Sequence, residues 1–281
     1  MSSAQFPPAT WRLLRTPPLA GPLNMAIDEA ILLAIAERQA PPTLRFFAWE
    51  PACLSLGYAQ PVSDVDAARL AERGWGLVRR PTGGRAILHT DELTYSVLAP
   101  MGEPRVLGGV IESYRQLSLG LLRGLEILGL NANAEKKEKS PTQPSTQSQN
   151  PVCFEVPSDY EITANGQKLL GSAQVRKKGV VLQHGTLPLV GEIARICEAL
   201  VFADEAERAN AKERVRTRAT TLEAVLGTAP TWNEAAHALQ NGFSHALNLN
   251  FELGELSALE REHTQRLLAE KYAAQVWTAR V

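Results

Sequence analysis

The dipeptide Asn165-Gly166 constrains this chain more than any other pair of its residues. A two-residue hairpin loop needs φ > 0 at both positions, and Asn-Gly adopts that conformation at little cost. Before the turn, Tyr160 and Ile162 alternate with polar residues, as in a half-buried strand. After it, Lys168-Leu-Leu runs into Gly171-Ser172-Ala173, small residues that admit close approach of backbone or ligand. The hairpin puts a cysteine, Cys153, and a lysine, Lys168, on its two sides.

Around this hairpin the patterns are mixed. Strand composition marks 44–49, 53–57, 75–80, 86–89, 93–99 and 180–189. Helical spacing predicts Asn24–Arg38, with Ile27, Ile31, Ala34 and Ile35 on one face, and Gly109–Gly129. Shorter helices are expected over Asp64–Arg73, Gly191–Phe202 and Thr221–Leu226, and Glu205–Arg218 as a solvated helix or connection. Thr231 with Glu234, and Ser257 with Glu260, are capping boxes, the second opening a helix to about Tyr272. Residues 1–10 read as a loose arm. The stretch Glu135–Asn150 has no aliphatic or aromatic residue. It has nothing to bury against an ordering cost of about 1–2 kcal/mol per residue, so a mobile loop inserted into one sheet is expected. Strands in the middle with helices at both ends predict an α+β fold, a mixed β-sheet packed with helices.

Composition narrows the function. The 281 residues carry a formal net charge of -1, which gives no electrostatic footprint for nucleic acid or an anionic membrane. No apolar run is long enough for a transmembrane helix, and the start has no signal-peptide pattern. Three scattered cysteines, Cys53, Cys153 and Cys197, make neither a disulfide framework nor a Cys-x-x-Cys metal pair. The expectation is a cytoplasmic, monomeric protein with no metal.

Four features bear on chemistry. In Arg79-Arg-Pro-Thr-Gly-Gly-Arg85, two glycines after a strand expose backbone N–H groups beside arginines, enough to hold a carbonyl, carboxylate or phosphate. A plain turn with solvated arginines satisfies the same spacing. His89 follows four residues later, either bonding substrate or serving structure. Cys153 is a nucleophile if a cation such as Lys168 lowers its pKa, and otherwise a small buried hydrophobe. Cys53 and Cys197, in apolar patterns, read as core. His184, in Leu182-Gln-His-Gly185, offers a rival base for the cysteine.

Several segments together resemble the lipoate–protein ligase and octanoyltransferase superfamily, in particular the LipM-type octanoyltransferases. They are Gly21–Glu29, Arg79–His89, Glu92–Ser96, Cys153–Glu161, Gly166–Gln174, Leu182–Gly185 and Glu270–Trp277, in order along nearly the whole chain. The resemblance implies a single catalytic domain over 1–281, with its core at about 21–277 and a polar insertion at 135–150. It also implies a core related to biotin ligases and class II aminoacyl-tRNA synthetases. Cys153 falls where the transferases carry their nucleophile, and Lys168 where the superfamily carries its lysine. Arg80, Thr82, Gly83, Gly84, Arg85, His89, Gly171 and Ser172 fall at the expected acyl site.

The function implied by the resemblance is that of an acyltransferase of lipoate biosynthesis. It takes octanoyl from octanoyl-acyl carrier protein onto Cys153 and passes it to a lysine of a lipoyl domain, the glycine-cleavage H protein. No ATP or metal is expected, because the donor thioester is already activated. The alternatives are an ATP-dependent lipoate or octanoate ligase, an amidotransferase between lipoyl domains, and a non-catalytic acyl sensor. Gly83-Gly84-Arg85, where ligases typically read Gly-Gly-Gly, and the lack of length for an accessory domain favour the transferase.

Overall fold

The computed structural model describes residues 6–135 and 161–281; Tyr160, Cys153 and nearly all of the polar insertion lie outside them. Asn165 and Gly166 take φ of 51° and 77°, and the strands they join, β8 (Glu161–Ala164) and β9 (Gln167–Lys177), pair antiparallel with Ala164 opposite Gln167. The remaining strands are β1 (Ala9–Arg15), β2 (Thr43–Phe47), β3 (Cys53–Leu56), β4 (Gly76–Arg79), β5 (Ile87–His89), β6 (Glu92–Pro100), β7 (Asn133–Glu135), β10 (Val180–Pro188) and β11 (Leu249–Leu253). Eight of the eleven form one sheet in the order β11-β1-β2-β6-β10-β9-β8-β7, and β4-β3-β5 form a smaller second sheet. Within the large sheet β1 runs parallel to β2 and β11, and the other pairings are antiparallel.

The period-2 pleat sends neighbouring side chains to opposite faces, and the core follows that rule. Leu13, Tyr95 and Val97 point to one face, where α3 (Val110–Ile127) and α6 (Trp232–Leu247) cover them through Leu117, Leu121, Leu239 and Phe243. Leu14 and Leu98, one residue further along, point to the other face and meet Ile27, Ile31 and Ile35 of α1 (Gly21–Ala36). Helix α1 is in turn covered by α7 (Ala258–Leu267). The α3–α6 crossing is very close: a Cβ on Gly242 would lie 2.3 Å from the Gly124 nitrogen and 2.4 Å from the Gly120 carbonyl oxygen.

Helix ends follow local chemistry. Thr231 and Ser257 make the capping boxes their sequences announce, with Glu234 and Glu260 bonding back to the cap nitrogens. Three sequence expectations need correction. Of the arm expected over residues 1–10, the described part, 6–10, is not loose, since β1 starts at Ala9 and Phe6 is buried. The stretch expected as a helix over Gly191–Phe202 is a tight 3₁₀ segment, Ile193–Ala199, preceded by Gly191 at φ +89°. Asp64–Arg73 divides into a 3₁₀ turn, Val62–Asp64, and helix α2 (Ala67–Glu72), capped by Asp66. Among the described residues no helix is long and apolar enough to cross a membrane.

Candidate active site

A cavity enclosing about 720 Å³ of space, part of it open to solvent, lies between the two sheets. Eight of the residues given a candidate role from sequence line it: Arg80, Gly84, Arg85, His89, Lys168, Gly171, Ser172 and His184. Met25, Trp49, Ile87 and Ala173 give it apolar walls. Gly83 faces an outer groove that shares Gly84 and Arg85 with the cavity, and Thr82 lies buried behind the wall. Cys153 lies outside the described residues.

The Gly83-Gly84 turn is held from inside. The Arg80 guanidinium, 3% exposed, donates to the Gly83 and Arg85 carbonyls at 2.8 and 2.7 Å and to the Ser55 carbonyl at 2.8 Å. Arg79, fully buried, donates to the carbonyls of Gly57, Gln60 and Thr278. These arginines are therefore not solvated. Arg80 supplies the donors that the turn's inward carbonyls need, and Arg79 those of the adjoining 57–60 loop and of Thr278, since a buried unpaired carbonyl costs about 1–3 kcal/mol. Gly84 sits at φ +91°, a conformation costly for a side chain.

Lys168 lies 4% exposed on β9, its Nζ 2.6 Å from Glu161 Oε1 on the paired strand. Its stem lies over Gly171, where a Cβ would come within 3.1 Å of Lys168 Cε. The hairpin register thus brings an ammonium to the cavity wall on a salt-bridged strand pair. Ser172, two pleats on, pairs its hydroxyl with Tyr95 Oη at 2.7 Å.

His89 closes the inner end. Its ring stacks on Trp49 with centroids 3.9 Å apart. Nδ1 lies 2.6 Å from Glu92 Oε1 and Nε2 lies 2.8 Å from Ser55 Oγ. Glu92 Oε1 also accepts from Thr94 Oγ1, whose oxygen accepts in turn from Trp49 Nε1. Both ring nitrogens of His89 are thus engaged by protein.

A second histidine links the cavity to the core. His184 lines the wall, with Nε2 2.7 Å from Thr82 Oγ1 and Nδ1 3.5 Å from Asp28 Oδ2. With the ring proton on Nδ1, the Thr82 hydroxyl donates to Nε2. Burial holds the His184 pKa below its ordinary value, although Asp28 pulls the other way. Asp28 is buried on α1. Burial alone raises its pKa, but the Arg45 guanidinium, His184 and Ser96 outweigh that and hold it below the usual carboxylate range. Arg45 Nη1 donates to Asp28 Oδ1 at 2.7 Å, and Ser96 Oγ to Oδ2 at 2.6 Å. Sequence reading did not single out Asp28 or Arg45. The available signals were an acid on an apolar helix and an arginine inside Leu-Arg-Phe-Phe.

Cys53 and Cys197 are both buried, as expected of core residues. Burial, with the nearby Glu92 charge, pushes the Cys53 thiol up to about 12, so it is no nucleophile at neutral pH. Among the described residues no three His, Cys, Asp or Glu side chains converge as a metal site requires.

Comparison with known proteins agrees with this architecture. The bipartite lipoate protein ligase of Thermoplasma acidophilum superposes with a TM-score of 0.79 at 22% identity, covering 96% of each chain. A lipoate-protein ligase A structure with bound ATP superposes at 0.78 and 23% identity, over 96% of this chain and 99% of that one. At such identities the likeness shows a shared α+β fold. In sequence the chain is 41% identical to the octanoyltransferase LipM of Kyrpidia tusciae, over 96% of this chain and 99% of the relative. It is 36% identical to the LipM of Bacillus subtilis, over 95% and 97%. The family described as the lipoyl protein ligase A/B catalytic domain matches residues 21–244. The chain belongs to that lipoyl protein ligase A/B catalytic domain family.

Proposed function

We propose that this protein is an acyltransferase of lipoate biosynthesis that moves an octanoyl group onto a lipoyl-domain lysine. The observation that carries the proposal is the cavity itself, apolar along Met25, Trp49 and Ile87 with the Lys168 ammonium on its wall. Near-full-length relatives named octanoyltransferase support the same reading. Burying the acyl chain there contributes roughly 0.8 kcal/mol per methylene.

The donor is octanoyl-acyl carrier protein. The Cys153 thiolate attacks the thioester carbonyl, a new C–S bond forms, and the carrier thiol leaves with the proton Cys153 gave up. Lys168 lowers the Cys153 pKa and holds the carbonyl oxygen as negative charge develops on it. The ε-amine of a lysine on the acceptor, the glycine-cleavage H protein, then attacks the acyl-enzyme. An amide forms and the Cys153 thiol is released. The donor is already activated, so the cycle runs without ATP or metal.

Incubation with octanoyl-carrier protein, followed by intact-mass measurement, tests this. The expected result is one octanoyl adduct, absent in Cys153→Ala and formed far more slowly in Lys168→Ala. No adduct, or full transfer activity in Cys153→Ala, overturns the covalent route. Transfer from free octanoate only when ATP is present makes the protein a ligase, and transfer only from octanoylated H protein makes it an amidotransferase.

A further inference from the structure

Beside the acyl cavity runs an open groove of about 1440 Å³, solvent included, that meets it at Gly84 and Arg85. Its lining is cationic and aromatic: Arg85, Arg176, Lys177 and Lys271, with Tyr58 and Trp277. No acidic residue lines it among the described residues. Glu29, beneath it, is the carboxylate that holds the lysines in place, with Oε1 2.7 Å from Lys177 Nζ and Oε2 2.5 Å from Lys271 Nζ. Among the described residues Glu29 is shared by two lysines, and Arg176 is bonded to neutral acceptors, which leaves the groove positive in a chain whose formal net charge is -1. Such a local excess in a concave surface attracts anions.

The cations differ in freedom. Arg176 is fixed, donating to the carbonyls of Gly108 and Gly109, to Ser113 Oγ and to Gln174 Oε1. Lys271 is flanked by aromatics, its Nζ 4.1 Å from the Trp277 ring centroid. Lys177 is paired with Glu29, yet its side chain is 46% exposed, so its ammonium also faces solvent and an incoming ligand. A fixed guanidinium, a ring-flanked ammonium and a solvent-facing ammonium together suit a phosphate ester, whose oxygens accept several charge-assisted hydrogen bonds.

We infer that this groove binds the phosphate of the phosphopantetheine arm that carries the acyl donor, with Lys177 and Lys271 as its ligands. The inference rests on the transferase reading above. An acyl chain seated in the cavity has its thioester toward the mouth, and the arm leaving past Gly84 runs along the groove. Lys177 and Lys271 bridge Glu29 and the phosphate, and because the contact is between charges, binding is weakened by salt.

The test uses the full chain and two small donors, octanoyl-phosphopantetheine and octanoyl-pantetheine, which differ by the phosphate. The expected kcat/KM ratio is about tenfold or more in favour of the phosphate-bearing donor at low salt, the worth of one charge-assisted hydrogen bond. It falls toward unity in Lys177→Ala and in Lys271→Gln. Equal use of the two donors by the parent protein, or a ratio unchanged in both variants, overturns the assignment. Calorimetry separates other phosphate sources: phosphopantetheine binds tighter than pantetheine, inorganic phosphate or AMP. Tighter binding of AMP makes the groove a nucleotide site and overturns the donor-arm assignment. If neither donor acylates the protein, the transferase reading fails, while calorimetry still decides the groove.

Discussion

Replacing Arg45 by methionine tests the polar core that supports the cavity. Arg45 and Asp28 are both fully buried and lie 2.7 Å apart. Arg45 also donates to Asn24 Oδ1 at 2.6 Å and to Thr16 Oγ1 at 3.1 Å. Removing one member of a buried pair costs about 3–5 kcal/mol, because the remaining charge is left uncompensated. At a urea slope of about 3 kcal/mol per molar, the unfolding midpoint falls by roughly 1–2 M. The loss is smaller at pH 5 than at pH 8, since the variant's Asp28, without its guanidinium, takes up a proton more readily. The double variant Asp28→Asn with Arg45→Met removes the stranded charge and recovers more than half of the loss. Urea unfolding of the three proteins at both pH values makes the comparison. A single-variant cost below about 1 kcal/mol, or a double variant no more stable than the single, refutes the reasoning.

Two further perturbations are informative. Gly242→Ala forces a Cβ into the backbone of Gly120 and Gly124 and is expected to cost about 1–3 kcal/mol or more, lowering the thermal midpoint, whereas an unchanged midpoint means the α3–α6 crossing yields easily. The lowered His184 pKa means that the unfolded chain takes up a proton at a higher pH than the folded one does. Its contribution to stability is present above the unfolded value of 6.5 and is lost as pH falls below that value toward the folded pKa. The parent's urea midpoint between about pH 5 and 7.5 should rise more steeply than that of His184→Gln, and equal slopes dismiss the effect.

Much of this architecture is written locally. The Asn165-Gly166 turn, both capping boxes and the long amphipathic helix 110–127 each follow from a few neighbouring residues, and all are present. Strands β1 and β11 escaped because nothing nearby punctuates them and their pairing is non-local. The grouping of Arg80, Gly84, His89, Lys168 and Ser172 was anticipated through ordered motifs, since spacing along the chain does not say that a turn and a hairpin will face each other. The burial of Arg79 and Arg80 was not legible. Their partners are backbone carbonyls, which every residue carries and no residue type betrays. The Asp28–Arg45 pair stayed hidden for a related reason: each charge looks like an isolated exception until the fold joins them.

The pairing of Ala9 with Leu249 has a consequence for how this chain is made. Strand β1 takes a position in the sheet whose outer neighbour, β11, is translated about 240 residues later. At about 5–20 residues per second, β1 waits on the order of 10–50 s for that neighbour. For that interval its outer N–H and C=O groups form an open edge, the kind of template that recruits other chains. Nascent forms stalled before residue 249 therefore leave the β1 edge open to other chains, and β11 covers that edge while itself becoming the outer strand of the sheet.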